Sequence, residues 1–175
     1  LERAELVRYG QIHRNTFVNS PTHLDKLYRL RAEPRLRLAG QLTGVEGYLE
    51  SAATGLVVAL YLILEAGRRG QSTAVAKLSA SSAELPESLV EPFPATTALG
   101  SLARHLTESD PRHFQPANVN YGLFEELPGR VPRRARRTAF AERARRDLLA
   151  WAERMGIEAA PEPFAARSTE TAVST

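Results

Sequence analysis

LRLAGQLTGVEGYLESAATGL, residues 36–56, runs a strand pattern into three closely spaced glycines and then into an apolar helical pattern. In RLRLAG, residues 35–40, charged and apolar side chains alternate with the two-residue period of a strand. After Gly47 the period changes: Leu49, Ala52, Ala53, Leu56, Val57, Leu60 and Leu64 recur at steps of three and four, and GRRG at 67–70 ends the run. A strand that turns through glycines into a helix presents backbone N–H groups and a positive dipole end, the geometry that receives an electron-rich ligand. A tight strand-to-helix turn with glycine supplying positive φ has the same spacing, and the spacing alone leaves both readings open. The helix is small or apolar on most sides, so it is expected to pack inside a larger body.

Upstream, LYRLRAEP at 27–34 alternates in the same way and predicts a second, adjacent strand. AELVRYGQIHRNTF at 4–17 reads as a strand followed by a structured loop. Downstream, residues 71–95 are rich in serine and proline and read as a linker. TALGSLARHL at 97–106 places Leu99, Leu102, Ala103 and Leu106 on one helical face. The 24 residues that follow, TESDPRHFQPANVNYGLFEELPGR, form a long loop of the kind that is often functional. A last helix is expected from Pro132, with Phe140, Ala144, Leu148, Trp151 and Met155 as its apolar stripe and Gly156 as its C-terminal cap. The expected organisation is therefore residues 1–70, a linker at 71–95, a helical region at 96–157, and a flexible tail at 158–175.

Composition narrows the chemistry. With 175 residues, 43% hydrophobic and 25% charged, the chain is long enough for one ordinary core. It has no cysteine, which excludes disulfides, thiolate metal sites and cysteine nucleophiles from its own repertoire, and no metal site is expected. The apolar run at 52–64 falls short of the roughly 20 residues a membrane span needs. No signal peptide opens the chain, so a cytoplasmic location without a membrane partner is the expectation. A first residue of Leu rather than Met hints at a piece of a longer protein. Net charge is only +3, but Arg130, Arg133, Arg134, Arg136 and Arg137 cluster. They read either as a phosphate-binding surface or as a solvated helix face. Arginines at the positive end of a helix oppose its dipole, which favours a compensating anion there.

GQLTGVEGYLESAATGL, with RYGQIHRNTF before it and TALGSLARHLTESDPRHFQPANVNYGLF after it, resembles the folate- and FAD-dependent tRNA (uracil-54-C5)-methyltransferase family, TrmFO, formerly Gid. Three separated motifs in the same order carry the resemblance. It implies an α/β fragment: the C-terminal part of a glutathione-reductase-type FAD-binding domain followed by a mainly helical C-terminal region. It implies a flavoenzyme that places the one-carbon unit of 5,10-methylenetetrahydrofolate on C5 of uridine 54 in the tRNA T-loop, with FAD as the electron carrier and NAD(P)H as reductant. By resemblance, Gly40, Gln41, Gly44, Val45, Glu46, Gly47 and Tyr48 approach FAD, with Glu46 nearer the flavin ring than solvent. His13, Arg14, Asn15, Asn118, Asn120 and Tyr121 fall on the folate or substrate side. The five clustered arginines become contacts to tRNA phosphates. The family's cysteines and its GxGxxG fingerprint have no match here, so no catalytic residue is assigned and the N-terminal remainder of the protein is an expected partner. The rivals are an MnmG-like flavoprotein that modifies the wobble uridine, and a non-catalytic tRNA-binding fragment. A large exposed apolar surface is expected on the helix after Gly47.

Overall fold

The computed structural model describes residues 16–68 and 90–158. The chain enters through α1 (Ser20–His23) and a hairpin of β1 (Arg29–Leu30) and β2 (Glu33–Arg37), paired antiparallel. Asp25 shapes the approach: its Oδ1 accepts from the amides of Leu27 and Arg29, each at 2.9 Å. A 3₁₀ turn (Gly40–Thr43) leads to α2 (Tyr48–Arg68), and α3 (Ala98–Glu108), a second 3₁₀ turn (Tyr121–Leu123) and α4 (Arg136–Arg154) follow. The mixed class is as expected, with helix dominating a small sheet among the described residues. The expected strand at 35–40 begins earlier, at Glu33, and yields to the 3₁₀ turn at Gly40.

The helix after Gly47 forms over the expected length, and its two sides differ. Thr54, Val57, Val58 and Tyr61 are buried, whereas Leu49, Leu56 and Ile63 are 80%, 73% and 67% exposed. The last three recur every seven residues, so they form one unpartnered apolar stripe, as expected. Because α2 extends past the 52–64 run at both ends, Tyr48–Gly67 is long and apolar enough by length and composition to cross a membrane, which the shorter run was not. Its other side is committed to protein: Glu65 pairs with Arg37 and Arg29, and Tyr61 is fully buried.

One core draws on both sides of the expected linker. Val45, Val57, Val58 and Tyr61 meet Leu102, Leu106, Phe114, Trp151 and Met155. Residues 90–95, assigned to the linker, belong to this core. Val90 is buried, the Phe93 ring packs edge-on against Tyr61 and Trp151, and Trp151 Nε1 donates to the Glu91 carbonyl at 2.9 Å. Serine and proline content marked the segment as loop but could not show that one aromatic side chain anchors it. The rest of that expected linker, 71–89, and the tail from 159 lie outside the described residues.

Helix ends follow local chemistry. Thr97 caps α3, its Oγ1 accepting from the Gly100 amide at 3.1 Å. At the end of α4, Ile157 N–H reaches the Ala152 carbonyl and Gly156 N–H that of Glu153, the paired bonds of a Schellman cap, as Gly156 predicted. The α4 start is later than expected: residues 132–135 make a turn, closed by the Ala135 amide on the Pro132 carbonyl, before helix begins at Arg136. Thr96 Oγ1 ties α4 to the 90–97 segment by donating to Asp147 Oδ2 at 2.8 Å. That hydrogen bond, and then Arg146, hold the Asp147 carboxyl below its usual range.

A folded-state pKa that is depressed stabilises the fold above the ordinary carboxylate range, and the contribution is lost as pH falls through the folded value. Asp147→Asn is therefore expected to lower the thermal unfolding midpoint near neutral pH. The gap from the parent chain should close as pH falls below the ordinary aspartate value of about 4; a gap that stays constant on acidification would contradict the assignment.

Candidate functional site

The glycine segment and the long loop, about 70 residues apart in sequence, are joined by backbone. Val45 and Ala117 form a parallel bridge in which the Glu46 amide donates to the Ala117 carbonyl and the Ala117 amide to the Gly44 carbonyl, each at 3.0 Å. Side chains reinforce it. A Cβ on Gly44 would sit 2.7 Å from Phe114 Cζ, so the ring occupies space that only glycine leaves open. His105 Nε2 lies 2.9 Å from the Gln115 carbonyl, which can only accept, so Nε2 carries the proton and holds the loop to α3.

All three glycines of the opening stretch have positive φ, at +67° for Gly40, +88° for Gly44 and +95° for Gly47. Their surroundings divide them. Gly40 is buried, its amide donating to Thr54 Oγ1 at 3.1 Å, while Thr43 Oγ1 donates to the Gly40 carbonyl and Ser20 Oγ to the Thr43 carbonyl. Gly44 and Val45 are also buried. Gly40, Gly44 and Val45 are enclosed by protein here, and internal hydrogen bonds hold the tight turn that they form. Gln41, Glu46, Gly47 and Tyr48 face outward, and Tyr48 is 99% exposed. They surround the start of α2, whose first turn leaves amides outside the helical ladder.

Glu50 folds back on that start. A Cβ on Gly47 would collide with its carboxylate and would lie 3.3 Å from Asn118 Nδ2. Gly47 and Asn118 are thus neighbours, and the structure brings the two expected motifs onto one surface. Glu50 is the acid in the first turn, where it offsets the dipole. Among the described residues no cluster of metal-ligating side chains occurs. His13, Arg14 and Asn15 lie outside the described residues.

Asn120 stays beside Asn118, its Nδ2 donating to the Asn118 carbonyl at 3.0 Å, whereas Tyr121 faces a different surface. Asn120 caps the second 3₁₀ turn, its Oδ1 accepting from the Gly122 amide at 2.9 Å. Tyr121 joins Phe124 and Phe140 in an aromatic trio with centroids 5.5–5.7 Å apart. Together with Gly122, Glu126, Arg133, Arg136 and Arg137 these rings line an open cavity of about 430 Å³. Arg130 and Arg134 are exposed outside it. Sequence reasoning found the arginines and Tyr121 separately but missed Phe124, Arg104 and Arg143. Arg143 Nη1 and Nη2 donate to the Glu126 and Glu125 carbonyls at 2.8 and 2.7 Å, and Arg104 Nη2 donates to the Leu123 carbonyl at 2.6 Å. The available signal was Arg143 three residues after Phe140, placing a cation beside an aromatic on one helical face.

With this geometry in view, the comparisons with known proteins define first a class. Residues 1–70 match the family model described as glucose inhibited division protein A. Over a longer span the chain is 47% identical across 155 residues to the methylenetetrahydrofolate–tRNA-(uracil-5-)-methyltransferase TrmFO of Pelobacter propionicus, covering 89% of this chain and 30% of that protein. The TrmFO of Magnetococcus marinus is 47% identical over 152 residues, covering 86% of this chain and 30% of its own length. That of Myxococcus xanthus is 44% identical over 166 residues, covering 93% and 32%. Over most of its length the chain is similar to these TrmFO proteins, and it spans a little under a third of their length.

Gly44→Ala introduces both an unfavourable positive φ and a contact with Phe114. It should cost about 1–3 kcal/mol in denaturant unfolding, and Phe114→Leu in the same chain should recover part of that loss. Full stability in Gly44→Ala would mean that the ring does not fix the turn.

Proposed function

We propose that this chain supplies one wall of the flavin site, and part of the RNA surface, of a tRNA methyltransferase. The proposed reaction uses 5,10-methylenetetrahydrofolate as carbon donor, FAD as the carrier of reducing electrons and NAD(P)H as their source, and forms 5-methyluridine at position 54 of the T-loop. The observation that carries the reading is the bridge between Gly44–Glu46 and Ala117, which puts Gly47 beside Asn118 at the open start of α2. The relatives are named for tRNA, uracil and methylenetetrahydrofolate. They favour this reading over MnmG-like modification of the wobble uridine.

The exposed residues fit a flavin in part. Gly47 offers a backbone approach, with the flexible end of Glu50 and the Asn118 amide as the nearest side-chain groups. Gln41 can donate or accept through its amide, and the dipole end of α2 favours an electron-rich group. FAD, when bound, supplies the electron transfer. This chain's residues orient and enclose it: Gln41, Glu46, Gly47 and Tyr48 form the facing edge, while Gly40, Gly44 and Val45 hold that edge rigid from behind. Asn118 adds an amide at the same edge for folate or uridine, beside His13, Arg14 and Asn15 on the family's pattern. The covalent catalyst belongs to the part of the protein beyond this chain, and cytoplasm, where tRNA and reduced folates occur together, is the proposed location. The arginines at 130, 133, 134, 136 and 137 neutralise tRNA phosphates.

In the complete protein, Gly47→Trp is expected to reduce bound flavin severalfold, read from the visible absorbance of the purified protein, while leaving its secondary structure intact. Unchanged flavin content would remove the site assignment. Arg133→Ala with Arg137→Ala should weaken tRNA binding and flatten its dependence on salt by about one to two counterions. Equal affinity and equal salt slope in the double variant would remove the phosphate contact.

A further inference from the structure

The cavity between the second 3₁₀ turn and the start of α4 combines two chemistries on one concave surface. Its floor is aromatic: Tyr121, Phe124 and Phe140 touch one another, and the Tyr121 side is open, at 54% exposure. Its wall is cationic, with Arg133, Arg136 and Arg137 at the lip. All three are exposed, and no ion pair with a described residue engages them. The start of α4 has no side-chain cap and no acid in its first turn, and Glu126 is the single acid among the residues lining the cavity beside the three guanidinium groups.

The loop that carries the floor is fastened from beneath. Arg143 and Arg104 between them bind the carbonyls of Leu123, Glu125 and Glu126, and the Arg143 guanidinium lies 5.4 Å from the Phe140 ring centre. Arg143 is buried, and taking its guanidinium out of water to hold a surface turn costs desolvation. What the two arginines gain is a fixed position for the rings above them.

We propose that this cavity is a pocket for an unpaired nucleotide of RNA, with its base stacked on Tyr121 and its flanking phosphates on Arg133, Arg136 and Arg137. The inference rests on the tRNA reading above and goes beyond it, because an arginine surface alone needs only a backbone, paired or not. A flat aromatic face accepts any base that is free of its helix, and guanidinium groups at its edge take the phosphates that such a base brings with it. Glu126 also lines the cavity. Its carboxylate repels phosphate and accepts from base N–H groups, so it orients the nucleotide with the base inward and the backbone toward the arginines. Tyr121, which shared one motif with Asn118 in sequence, is thereby assigned to a different part of the RNA surface.

The test uses the full chain and two labelled probes, a ten-nucleotide oligouridylate and an RNA duplex with the same number of phosphates, read by fluorescence anisotropy. Tyr121→Ala is expected to weaken oligouridylate binding about tenfold and duplex binding less than about twofold, and Tyr121→Phe to restore the parent affinity. Arg133→Ala with Arg137→Ala should weaken both probes. If Tyr121→Ala weakens both probes equally, or neither, while the arginine variant still weakens both, the pocket is overturned and the phosphate contact stands. If the parent chain binds neither probe, the pocket and the phosphate contact both fall. Tyr121→Ala removes the ring's contacts with Phe124 and Phe140 but none with the core around Trp151, and circular dichroism of each variant checks that the fold is kept.

Discussion

Two backbone hydrogen bonds between Gly44–Glu46 and Ala117 set the arrangement on which the rest of this structure depends. They are exchanged between segments that share no regular sheet, so their geometry has to be imposed from elsewhere. The Phe114 ring imposes it from one side by filling the space over Gly44, and His105 from the other by fixing the Gln115 carbonyl. Below the turn, Ser20, Thr43 and Thr54 use hydroxyls to satisfy the polar backbone that the tight path buries. Buried amides and carbonyls left without partners would cost about 1–3 kcal/mol each. The hydroxyl chain therefore makes the turn possible, and the turn makes the Gly47–Asn118 surface possible.

The same division of labour recurs at the second surface. Arg143 and Arg104 direct their hydrogen bonds inward to carbonyls, whereas Arg133, Arg136 and Arg137 line the open cavity. One residue type thus performs two jobs a few residues apart, and helical phase decides which. Arg143 follows Phe140 on the buried side of α4, whereas Arg136 and Arg137 sit in its exposed first turn.

Much of the fold was legible because it rests on periodicity and on single-residue signals. The α2 pattern, the face of α3 and the Gly156 cap each depend on local spacing, and each is present. The glycines were legible as positive-φ positions, but not as inward or outward. That distinction is made by Phe114, which is 70 residues from Gly44 and gives no local sign of the contact. Phe93 is the same case: a single aromatic in a proline-rich stretch anchors it between Tyr61 and Trp151, and composition averages that residue away. At the site, sequence order grouped Asn118, Asn120 and Tyr121. The turn capped by Asn120 carries Tyr121 to Phe124 and Phe140, while Asn120 Nδ2 stays bonded to the Asn118 carbonyl.

The exposed stripe of Leu49, Leu56 and Ile63 bears on how the two sides of α2 work together. The helix is anchored to this chain's core through Thr54, Val57, Val58 and Tyr61, so the direction of its first turn is fixed without any further partner. Its opposite side offers an exposed apolar surface of the kind that marks an interaction site, and these relatives have about twice this chain's length remaining. A partner seated on that stripe would lie alongside the helix whose start carries Gly47 and Tyr48. Burial of the stripe and enclosure of the site would then be one event, with Tyr48, the most exposed aromatic on the helix, at the junction between them.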